Sequence, residues 1–144
     1  METKTKIDAA EIIGIEPRQM QNLADRGIVD ADGGGSKGAA LGFNAAAMYY
    51  GMVAGEMLKF KMSSGAIIES IAFLKKYAPK PAEVFKMRDS GSDLFITVRM
   101  DGNKQITGWY EYDPKLDLRH FIKGSLLVVV IDAGAIATKI MNLK

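Results

Sequence analysis

The sequence predicts an α+β fold, helical in its first half and strand-rich in its second. Three observations carry this expectation. Apolar residues recur at helical spacing before residue 79, as at Ile67, Ile71, Leu74 and Ala78. Pro79-Lys80-Pro81 then interrupts the pattern, because two prolines in three residues stop a helix and favour an extended linker. Beyond it, Leu94, Ile96 and Val98 alternate with Phe95, Thr97 and Arg99, the period of a half-buried strand. The expected units are therefore 1–78 and 82–144.

The elements follow in order. Asp8 is placed to cap a helix starting near Ala9, with Glu11 as its capping-box partner. Ala9, Ile12 and Ile13 share a face, and Gly14 ends the helix. Glu16-Pro17 opens a second helix, since proline suits the first helical position. Met20, Leu23 and Ala24 form its inner stripe, and Gly27 closes it. Ile28 and Val29 read as extended. The glycine-rich run 32–38 reads as a loop, with 41–43 returning as a short strand. Asn44 caps a third helix running to about Lys61. Ser63 or Ser64 starts a fourth, with Lys75 and Lys76 near its C-terminal end, where the helix dipole favours cations. A hairpin is expected from 94–98 and 105–112, joined by the turn residues Asp101-Gly102-Asn103-Lys104. The apolar run 126–131 reads as a fully buried strand. Asp132 is placed to cap a final helix carrying Ile136, Ile140 and Leu143 on one side.

Composition excludes much chemistry. The chain has 144 residues, 48% apolar and 25% charged, with no cysteine and one histidine, His120. Disulfides, thiolate metal sites and cysteine nucleophiles are thereby removed, and no metal or other cofactor is expected. His120 lacks partners for a triad, and Glu111 with Asp113 has nothing else to mark a catalytic pair. No nucleophile–base pair or phosphate loop assembles, so no enzyme is expected. Trp109, Tyr110 and Tyr112 suit cross-strand packing or, less simply, a ligand pocket. The nine methionines suit irregular core gaps. No apolar run is long enough to span a bilayer, and Met-Glu-Thr-Lys-Thr-Lys has no apolar leader, so the expected location is cytoplasmic.

The stretch 7–50 carries the functional reading: helix, tight turn, helix, glycine-rich hairpin, helix. Ala10-Glu11-Ile12-Ile13-Gly14-Ile15-Glu16-Pro17-Arg18-Gln19-Met20, followed by Asp25-Arg26-Gly27-Ile28-Val29, resembles the MerR family of winged-helix transcription regulators. Residues 33–43 look like the family's wing, and Phe43-Asn44 like the start of its third helix. The resemblance covers about half the chain. It implies an N-terminal winged helix-turn-helix with additional helices, to which the strand and helix signals beyond residue 81 add a small antiparallel β/α unit. The family's second arginine and aromatic pair are replaced here by Gln21, Asn22 and Leu23, and Pro79 stops the fourth helix before it reaches the family's long dimerising length.

Arg18, Gln19 and Asn22 lie on the polar side of the second helix, where arginine suits guanine and an amide suits adenine. The expected DNA-binding set is Arg18, Gln19, Gln21, Asn22, Arg26, Ser36, Lys37 and Tyr49, with Ser36 and Lys37 in the wing and Tyr49 on a phosphate. The expected protein is a transcription regulator that binds double-stranded DNA as a homodimer on a two-fold site. A small-molecule or protein effector would act through residues 82–144. Residues 1–60 carry six basic and eight acidic side chains, which offers little phosphate neutralisation. That charge motivates an alternative, a winged-helix protein–protein adaptor. A small-molecule binding domain in the second half is the third reading.

Overall fold

A computed structural model describes residues 1–33, 40–101, 104–112 and 128–143. It combines helices with two small antiparallel sheets. The elements are β1 (Lys4–Thr5), α1 (Lys6–Ile13), α2 (Pro17–Asp25), β2 (Gly42–Phe43), α3 (Ala45–Lys59), α4 (Ser64–Tyr77), α5 (Pro81–Asp89), β3 (Asp93–Asp101), β4 (Lys104–Tyr112), β5 (Val128–Asp132) and α6 (Ala133–Met141).

Local chemistry explains most boundaries. Asn44, Ser63 and Asp132 each accept a backbone N–H three residues on, capping α3, α4 and α6. Gly14 and Gly27 adopt φ of 79° and 65°, and each ends its helix with the same pair of bonds. At Gly27 these are Ile28 N–H to Leu23 O, 3.0 Å, and Gly27 N–H to Ala24 O, 2.9 Å, a closure that needs a left-handed residue. Lys61 makes the same closure after α3 with φ of 54°, without being glycine.

Four expectations are corrected. First, α1 begins a turn before Ala9, and Thr5 is its cap. The Thr5 hydroxyl accepts the Asp8 N–H at 3.2 Å and donates to Asp8 Oδ2 at 2.7 Å. Pairing of Lys4 with Phe43 holds this stretch extended, the geometry a cap requires. Second, Pro81 does not extend a linker but opens α5, because a first helical residue has no use for its N–H. Third, β5 is not buried on both faces. It pairs with β3 alone among the described strands, in the order β4-β3-β5, with Ile131 inward and Val130 42% exposed. Fourth, Tyr49 is not at the surface where a phosphate contact would need it, because it and its neighbour Tyr50 are both buried. The turn at 102–103, His120, Asp113 and residues 126–127 lie outside the described residues. So do the side chains of Trp109, Glu111, Tyr110 and Tyr112, although β4 places Trp109 opposite Ile96.

The core is continuous. Met20, Phe43, Met48, Tyr49 and Met57 from the first half join Val84, Ile96, Ala137 and Ile140 from the second in one buried cluster. α3 is its centre, touching α1, α4 and α6. Two glycines let α1 approach it. A Cβ at Gly55 would fall 2.5 Å from Ile13 Cγ2, and one at Gly51 would fall 2.8 Å from Ile13 Cδ1. At the other end Arg88 of α5 donates to both carboxylate oxygens of Asp132 at 3.1 Å, tying α5 to the start of α6.

Candidate nucleic-acid interface

α2 is short and strongly two-sided. Met20 and Leu23 face the core, while Arg18, Asn22 and Arg26 are exposed at intervals of four. At 1.5 Å per residue the two arginines stand about 12 Å apart along the helix, with Asn22 between them. Neither guanidinium has a carboxylate within salt-bridge distance among the described residues. Arg26 has one weak contact, to Ser64 Oγ at 3.4 Å.

Two lysines bond carbonyls at the turns that precede and follow α2. Lys59 of α3 donates to Ile13 O at 3.2 Å, at the C-terminal end of α1, and pairs with Glu56. Lys75 of α4 donates to Gly27 O at 3.1 Å, just beyond α2, and pairs with Asp30 at 2.8 Å. Each thereby satisfies a carbonyl that the preceding helix cannot. The sequence places Lys75 near the end of its own helix, but its bonding partners belong to α2's exit.

The remaining expected contacts fare differently. Gln19 Oε1 accepts the Glu16 N–H at 2.9 Å, so half of its amide serves the α2 cap. Gln21 is turned to the opposite flank. It accepts from Lys6 at 3.2 Å and donates to Asp25 at 2.7 Å, lining a groove of about 690 Å³ with Thr5, Ile7 and Leu41. Tyr49 is a correction. It is 0% exposed, so it touches no phosphate, because its position on α3 points into the core. Its hydroxyl has no hydrogen-bond partner among the described residues, and burial, with the neighbouring Tyr50, pushes its pKa far up. Tyr50 donates to Pro79 O at 3.0 Å, and burial followed by the Asp30 charge raises its pKa. Ser36 and Lys37 lie outside the described residues.

The structure thus brings Arg18, Asn22 and Arg26 together and separates Gln21 and Tyr49 from them. It adds Ser64, which the sequence marks only as a helix start. Asp32 and Gly42 exchange two backbone bonds of 2.8 Å, closing the ends of 33–41 as an antiparallel bridge beside β1. Among the described residues no group of three histidine or carboxylate side chains could hold a metal ion. No described helix is long and apolar enough to cross a membrane.

Neither a scan against protein-family models nor a search of curated proteins finds a match to this chain. The site's chemistry therefore carries the functional argument.

Proposed function

We propose that residues 1–78 form a winged helix-turn-helix unit of MerR-like kind and that the chain is a DNA-binding transcription regulator. In this reading α2 enters the major groove and residues 33–43 serve as the wing. The protein acts in the cytoplasm as a homodimer on a two-fold site, and binds rather than catalyses. One observation carries the proposal: the exposed stripe Arg18, Asn22, Arg26, with two guanidiniums free of carboxylates among the described residues. Its span of about 12 Å compares with a major-groove width of about 12 Å. A guanidinium with no carboxylate partner keeps most of its donors for a guanine edge or a phosphate.

The test is binding to genomic DNA fragments, the gene's own upstream region included, across a salt series. The expected result is selective binding whose affinity falls steeply with salt, as counterion release requires. Arg18→Ala should lower specific affinity about tenfold or more while leaving the fold intact, since a bidentate base contact is worth about 1–3 kcal/mol.

A second reading has its own support. The amides of Gln19 and Gln21 are engaged within the protein, and acidic side chains outnumber basic ones over residues 1–60. Both facts favour a winged-helix adaptor that binds protein. Absence of DNA binding at low salt and high protein concentration would select it.

A further inference from the structure

A cavity of about 240 Å³ opens between α2, the end of α3 and the start of α4. Its floor is apolar. Leu23, Ile28 and Ile67 are each at most 5% exposed, the first two from α2 and its exit and the third from α4. Its rim is polar, with Asn22, Arg26 and Ser64 exposed at the mouth. Arg26 reaches across that mouth to Ser64 Oγ at 3.4 Å, a length at the limit of a hydrogen bond, and no carboxylate neutralises it among the described residues. Such a cation beside a dry floor selects for a molecule with both a negative head and an apolar body. The volume is below the roughly 300–1,000 Å³ of drug-sized sites, which limits the body to one ring or a short chain.

We propose that this cavity binds a small amphipathic carboxylate, its head on Arg26 and Ser64 and its tail against Ile28 and Ile67, and that occupancy releases DNA. The release rests on the DNA-binding reading above, since Asn22 and Arg26 would serve both ligands. The binding itself does not rest on it. The bonding is reversible and noncovalent: the carboxylate accepts from the guanidinium and the Ser64 hydroxyl, while Asn22 offers its amide at the rim.

The test uses the full chain with benzoate and hexanoate as probes and benzyl alcohol as the neutral control, read by thermal shift and by calorimetric titration. A saturable rise in melting temperature is expected with the acids and not with the alcohol. Arg26→Gln should weaken acid binding about tenfold or more without changing the melting temperature of the free protein, because the residue is exposed. Met62→Phe, which adds bulk at the cavity wall, should abolish binding while Arg26 stays in place. No saturable binding of either acid, or equal binding of the alcohol, overturns the proposal. So does acid binding that Arg26→Gln leaves unchanged. Saturating benzoate should also weaken specific DNA binding at constant ionic strength. Acid binding without any DNA binding would sink the regulator reading and leave the carboxylate site standing. DNA binding indifferent to bound benzoate would overturn the release.

Discussion

Tyr49 and Tyr50 are adjacent in sequence and both buried, yet their hydroxyls have opposite standing. Tyr50 donates to Pro79 O, whereas the Tyr49 hydroxyl is buried with no partner among the described residues. A satisfied hydrogen bond contributes about 1 kcal/mol, and a buried unsatisfied group costs about 1–3 kcal/mol. Tyr50→Phe should therefore lower stability by about 1 kcal/mol, and Tyr49→Phe should raise it by about 1 kcal/mol, both read by urea denaturation at pH 7. The same residues make stability depend on alkaline pH. Both phenols are shifted upward in the folded chain, while the unfolded chain ionises them near pH 10. Above that pH the unfolded state holds fewer protons than the folded state, so stability falls as pH rises. Tyr49→Phe should flatten that decline, and a slope unchanged by the substitution would assign it to other groups. Lys61 offers a separate check. Its φ of 54° is costly for a side chain with a Cβ, and the residue is exposed. Lys61→Gly should stabilise by about 0.5–1 kcal/mol, the left-handed relief less glycine's added chain entropy.

At the scale of the element, α3 forms where its Asn44 cap predicts it, despite two interior glycines. Its two glycines weaken it as an isolated helix by about 1 kcal/mol each. They persist where α1 crosses it, and the two positions differ. An added methyl at Gly51 meets Ile13 Cδ1 and the end of Met20, atoms that can swing aside. At Gly55 it meets Ile13 Cγ2, fixed beside the backbone of a β-branched residue. Gly51→Ala should thus be near neutral in thermal denaturation, with the propensity gain offsetting the crowding. Gly55→Ala should cost about 1–2 kcal/mol, since overpacking of about 1–3 kcal/mol exceeds that gain. α2 shows the converse. Pro17, the Glu16–Gln19 bond and Gly27 define it almost without tertiary help, and it presents its arginines as its own periodicity dictates.

For the whole molecule, the continuous core decides behaviour. Ile140 and Ala137 of α6 are fully buried in the same cluster as Met57 and Val53 of α3. Unfolding should be one transition, with the fluorescence of Trp109 on β4 and the helical far-UV signal changing together. A fragment of residues 1–78 should not fold cooperatively, because it exposes the α3 surface that α6 covers. Ile140→Ala should lower both probes' midpoints together, by about 2–4 kcal/mol. Separate midpoints would instead divide the chain at residues 79–81.

What the sequence determined by itself is the chemistry that acts within a turn. Asn44, Ser63 and Asp132 are legible as caps, and Gly14 and Gly27 as helix ends, because each works through backbone groups a few residues away. The stripe Arg18, Asn22, Arg26 is legible for the same reason, as periodicity alone places it on one face. The tertiary structure decided what depends on distant partners. Pairing of Lys4 with Phe43 moved the start of α1. Packing buried Tyr49, and Lys6 with Asp25 engaged Gln21. The cavity beside Arg26 needed Ile67 of α4 to meet Leu23 and Ile28 of α2 and its exit. A side chain's local pattern states which way it points, but only the elements packed around it determine whether water, a hydrogen-bond partner or a cavity lies there.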